Sequence, residues 1–354
     1  MTTSPRRHFA SDNYAGIHPE VLAAIARVNE GHQVAYGDDD TTAELTSVMR
    51  EHFGPAAEVF PVFNGTGANV VALQAMLRRW EAVVCATSAH VNADEGGAPE
   101  HGAGIKLWTV PTSDGKLTPD LIDRQAWGFG DVHRAQPGVV TITQSTELGT
   151  LYSVEEVRAI ADHAHSLGMR VHLDGARIAN AAASLGVAFR DFTTDAGVDV
   201  VSFGGTKNGA MLSEAVVVLN PDAAPGVDFL RKSSMQLASK MRFVSAQLLA
   251  LLTDELWLRN ASHSNAMARE LQARVSGIEG VTVARPVQAN AVFAILPADV
   301  TARLQERFPF YTWDHVTGEV RWMCSWDTTL ADVEAFASAI AEEMTGRIWT
   351  TVPG

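Results

Sequence analysis

The sequence predicts an α/β protein with a mainly parallel sheet, and two observations lead to this prediction. Strand-like and helix-like stretches alternate up to about residue 240 of 354, as in chains whose parallel strands are joined by crossover helices. Three apolar strand-like stretches stop at glycines or at a charged residue, and ligands gather at the carboxyl ends of strands in such sheets. We therefore expect one pocket at that edge of the sheet.

The elements of the first domain follow from local signals. His18 and Pro19 open VLAAIARVNE, whose apolar spacing and early proline predict an amphipathic helix. AEVFPVFNG predicts a short strand running into a glycine turn, and ANVVALQAMLRRW predicts the helix after it. VEEVRAIADHAHSLG predicts a helix that Gly168 ends. Buried strands are predicted for EAVVCA, GVVTITQS, MRVHLDGAR, VDVVSFGGTKNG and AVVVLN.

A second domain is predicted to begin near residue 245, where the pattern changes. SAQLLALLTDELWLRNASHSNAMARELQARVSG predicts one or two long helices. Shorter strands are predicted for VTVARP, AVFAIL and EVRWMCSW, and LADVEAFASAIAEEM predicts a final helix. This mixture predicts a smaller α+β domain.

Composition and charge exclude several classes of protein. The 27 basic and 41 acidic residues give a net charge of −14, which disfavours a nucleic-acid or anionic-membrane partner. The two cysteines, Cys85 and Cys324, are too few for a disulfide scaffold and form no CxxC pair. No apolar run reaches the ~18 residues of a membrane span, and no ligand cluster predicts a metal site. We expect a cytoplasmic protein that takes a small-molecule substrate.

Three local signals carry chemistry. Asn64-Gly65-Thr66-Gly67 joins a strand to a helix, and N–H groups at such a helix start can hold a phosphate. Its spacing fits neither GxGxxG nor GxxxxGK[ST], so alone it equally describes a capped tight turn. Asp174 ends a strand in HLDGAR, where a buried carboxylate needs a cationic partner. That partner could be a protonated pyridine nitrogen, or Arg177 in a structural pair.

The third signal is Lys207, which follows an apolar strand within GGTKNG. Partial desolvation favours the neutral amine, the form that makes a Schiff base. An exposed loop lysine is the alternative. A glycine-rich cup, a strand-end aspartate and a lysine after a later strand come in the order expected of a pyridoxal phosphate (PLP) site.

The motifs together resemble the fold-type-I PLP enzymes, which share the aspartate aminotransferase fold, and within them the L-threonine aldolase family of β-eliminating lyases. The resemblance runs from about His8 to about residue 345, and it is nearest to the low-specificity L-threonine or phenylserine aldolase branch. The motifs that carry it are Ser11-Asp12-Asn13, Tyr36-Gly37-Asp38-Asp39, NGTGAN, Ala89-His90, ITQSTELGT, HLDGAR, GGTKNG and EVRWM.

The resemblance implies the domain organisation. A large PLP-binding domain with a seven-stranded sheet would cover residues 16–245, and a small α+β domain residues 246–354. Residues 1–15 would form an arm that contributes to the active site. A homo-oligomer, a dimer of dimers with shared active sites, is also implied. FPFYTWDH and residues 237–257 could supply its interfaces, or could pack the small domain internally.

The resemblance also implies roles for the matching residues. Lys207 would hold PLP as a Schiff base, Asp174 would pair with the pyridinium nitrogen, and His90 would stack on the ring. Arg242 would reach the phosphate of a neighbouring subunit. The implied cofactor-binding residues are Gly65, Thr66, Gly67, His90, Asp174, Arg177, Thr206, Lys207 and Arg242.

The substrate carboxylate would be clamped by Ser11, Arg177 and Arg321, because the planar fork of arginine matches a carboxylate. Tyr36 is a further implied substrate-binding residue. Plain structural roles stay open for three of the implied residues. Arg321 could pair with Glu319 or Asp327, Tyr36 could be an interface residue, and His90 could cap a helix.

The sequence departs from the family pattern at two places. Many members carry a histidine where this chain reads Gln144-Ser145-Thr146-Glu147. Glu147 could take over the contact with the substrate hydroxyl, and Gln144 could only brace the ring. A tyrosine found in some members shortly after the stacking histidine is also missing, and Asp94 lies near that point. Substrate range, stereopreference and the catalytic base depend on these positions.

The predicted reaction is PLP-dependent retro-aldol cleavage of L-threonine, L-allo-threonine and related L-3-hydroxy-α-amino acids, with phenylserine among them, to glycine and an aldehyde. His90, acting through a water, is the first candidate for the base, since imidazole titrates near neutrality, and Glu147 is the second. The competing hypotheses are β-elimination or transamination, and a non-catalytic PLP-fold binding protein. Lys207, Asp174 and Arg177 argue against the last. A cysteine desulfurase is disfavoured, because Cys324 lies in an apolar strand.

Overall fold

The computed structural model describes residues 7–346, and their contacts divide into two compact units. Residues 17–259 form the larger unit. Of the described chain, residues 7–16 and 260–346 form the smaller one. The predicted boundary near residue 245 falls inside a helix, Arg242–Leu252, which packs against two helices of the larger unit, Pro19–Arg27 and Asp40–Phe53. The two units divide instead at 259/260, within the helix Leu256–Val275.

A seven-stranded sheet forms the centre of the larger unit. Its strands lie in the order β1-β7-β6-β5-β4-β2-β3. Strand β7 runs antiparallel to both of its neighbours, β1 and β6, and the other pairs are parallel. The predicted mainly parallel sheet is confirmed. The strands are β1 (Glu58–Val62), β2 (Glu81–Ala86), β3 (Lys106–Val110), β4 (Gln136–Thr143), β5 (Arg170–Gly175), β6 (Val200–Gly204) and β7 (Glu214–Val218).

Helices surround this sheet. Helix α3 packs against β5, β6 and β7, and is buried around most of its circumference. Helix α6 begins with a Ser153–Glu156 capping box and is followed by Gly168, as predicted. The helices of the larger unit are α1 (Pro19–Arg27), α2 (Asp40–Phe53), α3 (Gly65–Met76), α4 (His90–Ala93), α5 (Pro119–Asp123), α6 (Val154–Ser166), α7 (Ile178–Leu185), α8 (Val227–Ser233) and α9 (Arg242–Leu252).

Helix α3 is shorter than predicted. It stops at Met76, because Leu77 has extended backbone angles. The next residues make a turn instead, in which Arg78 N–H donates to the Glu81 carboxylate at 2.8 Å. The long helical stretch after residue 245 is divided into α9 and α10 (Leu256–Val275) by a short turn at Thr253–Glu255.

The smaller unit has a four-stranded antiparallel sheet in the order β10-β11-β9-β8. Phe9 lies in its core and stacks on Phe336 at 4.4 Å between ring centroids. Within the described chain, the segment predicted as an arm thus packs as part of this unit. Its elements are β8 (Thr282–Val283), β9 (Ala291–Ile295), α11 (Ala298–Arg307), β10 (Tyr311–Asp314), β11 (Glu319–Met323) and α12 (Leu330–Thr345).

Both cysteines are buried and free. Cys85 lies in β2, and burial raises the pKa of its thiol to about 12. Burial also raises the pKa of the Cys324 thiol, in the core next to β11. Neither thiol is available as a nucleophile, which removes the support for a cysteine-dependent reaction.

Across residues 7–346, none of the helices combines the length and the apolar character needed to cross a membrane. Over the same residues, His, Cys, Asp and Glu side chains form no group that could hold a metal ion.

Candidate active site

The carboxyl ends of the central strands meet at one edge of the sheet. Glu214, the first residue of β7, lies opposite Val62 of β1 on one side and Gly204 of β6 on the other. Asp174, near the end of β5, lies opposite Thr143, the last residue of β4. The segment 64–67, Asp174 and Lys207 therefore lie at the same edge of the sheet, because each of them follows or ends one of these strands.

The first signal forms the start of helix α3. Asn64 is the N-cap residue, and its Oδ1 accepts the Gly67 N–H at 2.6 Å. The N–H groups of Gly65 and Thr66 are the first two of the helix and have no intrahelical acceptor. Space beside Gly65 is open, whereas a Cβ on Gly67 would lie 2.2 Å from the Gln236 side chain. The N–H groups of Gly65 and Thr66 are thus available to bind a ligand at the helix start. The N–H group of Gly67 is not, because it donates to Asn64.

Asp174 is buried at the edge, with 3% of its surface exposed. Its Oδ1 accepts the Ala176 N–H at 3.0 Å, and its Oδ2 accepts from Asn69 Nδ2 at 2.8 Å. Asn69 lies in α3, one helical turn after Gly65. Sequence reasoning missed this residue, although its four-residue spacing from the cup places it on the same helix face.

Asn69 also connects Asp174 to His90. Its Nδ2 donates to Glu95 Oε1 at 2.8 Å, and the same oxygen lies 2.9 Å from His90 Nδ1. The Glu95 side chain is fully buried. The hydrogen bond that His90 Nδ1–H donates to Glu95 raises the pKa of His90, burial opposes that effect, and the Asp174 charge adds to it. Glu95 was also missed, although it follows His90 by only five residues.

His90 is the first residue of α4 rather than its cap. Its ring nitrogen Nδ1 contacts a carboxylate, so the alternative in which the side chain caps a helix is not what the structure shows. When Nδ1 carries the proton toward Glu95, Nε2 has a free lone pair. This arrangement, a base oriented by a buried acid, is one that general-base catalysis requires.

Glu147 lies beside His90. Its Oε1 accepts the His90 backbone N–H at 2.8 Å, while its buried Oε2 has no hydrogen-bond partner in residues 7–346. Burial, aided by the negative charge of Asp174 and opposed by hydrogen bonds, raises the pKa of Glu147 to about 7. This carboxyl group therefore titrates near neutrality. Both amide atoms of Gln144 bond to the Tyr152 backbone, at 2.8 and 3.0 Å, so its hydrogen-bonding groups are already engaged within the protein.

Lys207 lies in the short turn Thr206–Asn208 that follows β6. It is half-buried, and its amine makes no salt bridge with the described residues. Two glycines permit the close packing before it. A Cβ on Gly204 would lie 2.5 Å from the Ala176 carbonyl oxygen, and the space beside Gly205 is equally closed. Arg177, directly before α7, is also half-buried.

Thr206, a predicted cofactor-binding residue, already uses its hydroxyl within the protein. The hydroxyl oxygen accepts the Ser213 N–H at 3.1 Å, and the hydroxyl group bonds to the Glu214 carboxylate. Contact with a cofactor would therefore require another atom of Thr206 or the remaining lone pair of that oxygen.

Tyr36 and Arg242 belong to two neighbouring segments of the larger unit, in which the Tyr36 N–H donates to the Ser239 carbonyl oxygen at 2.9 Å. A cavity of about 420 Å³ is lined by residues 31–35 and 239–242. Tyr36 has a left-handed φ of 63°, its ring is half-exposed, and Lys232 Nζ lies 4.8 Å from the ring centroid. No hydrogen bond or ion pair within residues 17–259 connects either residue to Lys207 or Asp174. A single subunit thus leaves their predicted roles untested.

Ser11 and Arg321 belong to the smaller unit. Ser11 caps the short helix Asp12–Tyr14, where its Oγ accepts the Asn13 N–H at 3.2 Å. Arg321, in β11, donates to the Ala10 carbonyl oxygen at 3.2 Å, and its guanidinium lies 4.5 Å from a ring centroid of Trp313.

The acidic partners considered for Arg321 are engaged elsewhere in the same unit. Glu319 pairs with Arg285 at 2.9 Å, and Asp327 pairs with Arg7 at 2.7 Å.

Comparison with known proteins decides the family. The family model described as β-eliminating lyase matches residues 8–298. This chain belongs to the β-eliminating lyase family. It is 45% identical over 340 residues to the low specificity L-threonine aldolase of Pseudomonas aeruginosa, covering 96% of this chain and 98% of that one. It is 44% identical over 344 residues to the enzyme of the same name from a Pseudomonas species, covering 97% and 99%.

A solved structure agrees with this assignment. The structure of Leishmania major threonine aldolase superposes with a TM-score of 0.89 at 30% identity, covering 96% of this chain and 99% of that one. The fold of this β-eliminating lyase is therefore the PLP-dependent fold type I that the sequence predicted.

β-Eliminating lyases of this kind depend on PLP, and the residues present fit that cofactor. The open N–H groups at the start of α3 suit a phosphate. The buried Asp174 accepts the N–H groups of Asn69 and Ala176 and, as a buried carboxylate, suits a cationic partner. At the same edge, the Lys207 amine makes no salt bridge with any of residues 7–346. The donor set therefore suits a phosphate, a protonated ring nitrogen and an aldehyde.

Proposed function

We propose that this chain is a lyase that cleaves L-threonine, L-allo-threonine and related L-3-hydroxy-α-amino acids, including phenylserine, to glycine and an aldehyde. The observation that carries the proposal is the convergence of Asp174, Lys207 and the Glu95-bound His90 at one sheet edge. The near full-length similarity to proteins named low specificity L-threonine aldolase supports the substrate class.

The residues of the larger unit divide the work of holding PLP. Lys207 would bind it covalently, Asp174 would face its ring nitrogen with a negative charge, and the start of α3 would hold the phosphate. When bound, PLP supplies an electron sink for the carbanion that carbon–carbon bond cleavage leaves on the glycine fragment. Asn69 keeps Asp174 in place, because its amide donates to the carboxylate at 2.8 Å.

His90 is the proposed base. Its Nε2 would take the proton of the β-hydroxyl group, through a water, while Nδ1–H donates to Glu95. The raised pKa of His90, caused first by the Glu95 hydrogen bond, makes it a stronger base. Glu147, with a pKa raised to about 7 by burial, is the second candidate.

The substrate carboxylate is assigned to Ser11, Arg177 and Arg321, and Tyr36 is a further proposed substrate-binding residue. Arginine suits this role because its planar guanidinium donates two parallel hydrogen bonds to a carboxylate. A homo-oligomer with shared active sites, in which Arg242 reaches a neighbouring phosphate site, completes the proposal. The half-exposed Tyr36 beside the cavity at Arg242 supports such an interface. A cytoplasmic location agrees with two cysteines that remain free thiols.

Product analysis tests this function. The PLP-saturated protein is incubated with L-threonine and with L-allo-threonine, and acetaldehyde plus glycine is assayed against ammonia plus 2-oxobutyrate. We expect acetaldehyde and glycine in equal amounts, and their loss in Lys207→Ala. Lys116→Ala is the matched control, because Lys116 is another half-buried lysine of the larger unit, paired with Glu156. It should retain wild-type products.

The other product pattern would contradict the proposal. Ammonia and 2-oxobutyrate would identify an elimination at the same PLP site. Activity that survives in Lys207→Ala would remove Lys207 from the chemistry altogether.

A further inference from the structure

Glu214 is a buried acid at the active edge to which the proposed chemistry assigns no role. It is the first residue of β7, and only 7% of its surface is exposed. It lies between the ends of β1 and β6, opposite Val62 and Gly204. Glu214 therefore lies next to the start of the turn that carries Lys207.

The Glu214 carboxylate holds this turn. Its Oε2 accepts the Gly205 N–H at 2.8 Å, and the hydroxyl and N–H groups of Thr206 also donate to it. Thr206 in turn accepts the Ser213 N–H at 3.1 Å. These bonds close the loop between β6 and β7 at its base, with Lys207 in the closed segment.

Neutral groups fix the rest of the same loop. Asn208 Nδ2 donates to the Trp257 carbonyl oxygen at 3.0 Å, and Gln247 Oε1 accepts the Met211 N–H at 2.9 Å. Amide side chains therefore suffice to hold this backbone elsewhere. At Glu214 the same task is done by a group that carries a charge, and burying a charge is costly unless it is balanced.

Lys207 balances that charge. Burial raises the pKa of Glu214 to about 7, and the hydrogen bonds from Thr206, the positive charge of Lys207 and the N–H of Gly205 act against this rise. By reciprocity, a negative Glu214 stabilises positive charge on the Lys207 nitrogen.

We propose that Glu214 is a positioning residue for Lys207, whose carboxylate fixes the lysine-bearing turn and supplies the counter-charge to the lysine nitrogen. This inference rests on the proposed role of Lys207 as the residue that binds PLP covalently. It adds the group that keeps the nitrogen joining PLP to the protein in its cationic form.

The test is the pH titration of the visible absorbance of bound PLP in Glu214→Gln. This variant keeps the size of the side chain and one acceptor oxygen but removes the charge. We expect the midpoint of the absorbance titration to fall by about one unit or more, since an opposite charge has been removed from the cationic nitrogen. An unchanged midpoint would overturn the proposal and leave Glu214 a structural residue.

Asp199→Asn is the matched control. Asp199 is also a buried acid that accepts a backbone N–H, from Val171 at 2.8 Å. It directly precedes β6 and so lies about 17 Å from Gly204, along the same strand. The control variant should keep the wild-type titration midpoint even where it loses stability, and a shift as large as that of Glu214→Gln would contradict the proposal.

If the glutamine variant fails to fold, the same absorbance titration of Glu214→Asp tests the proposal. The shorter acid keeps the charge but withdraws it from the turn, so the midpoint should fall by a part of the expected shift. A wild-type midpoint together with lowered stability would contradict the proposal.

These readouts do not depend on the reaction catalysed. A protein that binds PLP at Lys207 but forms no acetaldehyde would still answer the question about Glu214. Borohydride reduction of wild type followed by peptide mass analysis shows separately whether PLP is joined to Lys207. A different labelled lysine would overturn the proposed function and this inference together.

Discussion

A fully buried carboxylate, Glu95, sets the protonation of His90 through a 2.9 Å contact with Nδ1. The pair has the division of roles seen in catalytic dyads, with one nitrogen oriented by an acid and the other free to take a proton. Glu147 is the competing base, and its pKa is raised by a separate cause, burial. The two candidates therefore respond differently when the charge of Glu95 is removed.

Glu95→Gln should move the acid limb of the pH–rate profile. The amide still accepts from Nδ1–H, but the charge that raises the pKa of His90 is gone. The limb of kcat/KM for L-threonine should shift to lower pH by about one unit, because the neutral imidazole persists to lower pH. The plateau should fall because the base is weaker. Profiles from about pH 5 to 9 measure both effects.

Asp120→Asn is the control, since this exposed acid of α5 carries the same charge and is assigned no role at the site. It should leave the profile in place. An unshifted acid limb in Glu95→Gln would assign the base to Glu147 instead of His90.

The start of helix α3 combines a cap with the proposed phosphate site. Asn64 Oδ1 accepts the Gly67 N–H at 2.6 Å, and aspartate caps helices as well as asparagine does. Asn64→Asp should therefore leave the thermal stability of the PLP-free protein nearly unchanged. It should weaken PLP binding by about tenfold or more, because a carboxylate then faces the phosphate dianion. PLP titration and thermal unfolding are the two measurements.

Asn64→Ser separates the cap from the charge, because serine caps the helix without one. Its PLP affinity should stay within about threefold of wild type. Equal affinities for Asn64→Asp and wild type would mean that the phosphate binds elsewhere.

Long, apolar elements could be predicted from sequence, whereas the edge strand β10 could not. Strand β2 was predicted with its observed limits, since EAVVCA is apolar after its first residue. Strand β10 is a sheet edge without a fully buried residue, so it lacks the apolar run that marks a strand. Helix α2 could have been predicted, because Leu45, Met49 and Phe53 follow its Asp39 cap at four-residue spacing.

The site shows a similar division. Lys207 and Asp174 carry signals in their own neighbourhoods, a glycine-rich loop and a strand end. Asn69 acquires its role only from Asp174, which lies 105 residues away in the sequence. Glu214 acquires its role from strand register, because β7 runs antiparallel between β1 and β6. No local pattern encodes either relation, so both residues needed the structure.

At the scale of the whole molecule, shared active sites predict complementation between inactive variants. Lys207→Ala and Arg242→Leu are each expected to lose most activity. If each site takes Lys207 from one subunit and Arg242 from its partner, a mixed dimer contains one intact site. Reassembly of the two variants at equal concentration should recover about a quarter of wild-type activity.

Light scattering and assays after reassembly measure this outcome. Mixing without subunit exchange is the control and should recover nothing. An active monomer, or the absence of recovery despite mixed dimers, would show that Arg242 does not act across subunits.

The burial of both cysteines has a consequence for a protein that releases aldehydes. Acetaldehyde reacts readily with thiolates to form hemithioacetals, and an exposed reactive thiol would collect that adduct as product accumulates. Cys85 and Cys324 are the only cysteines of the chain, both are enclosed, and burial raises the pKa of each thiol. The enzyme thus exposes no thiolate to its own electrophilic product. Accumulating aldehyde is therefore not expected to modify its cysteines during turnover.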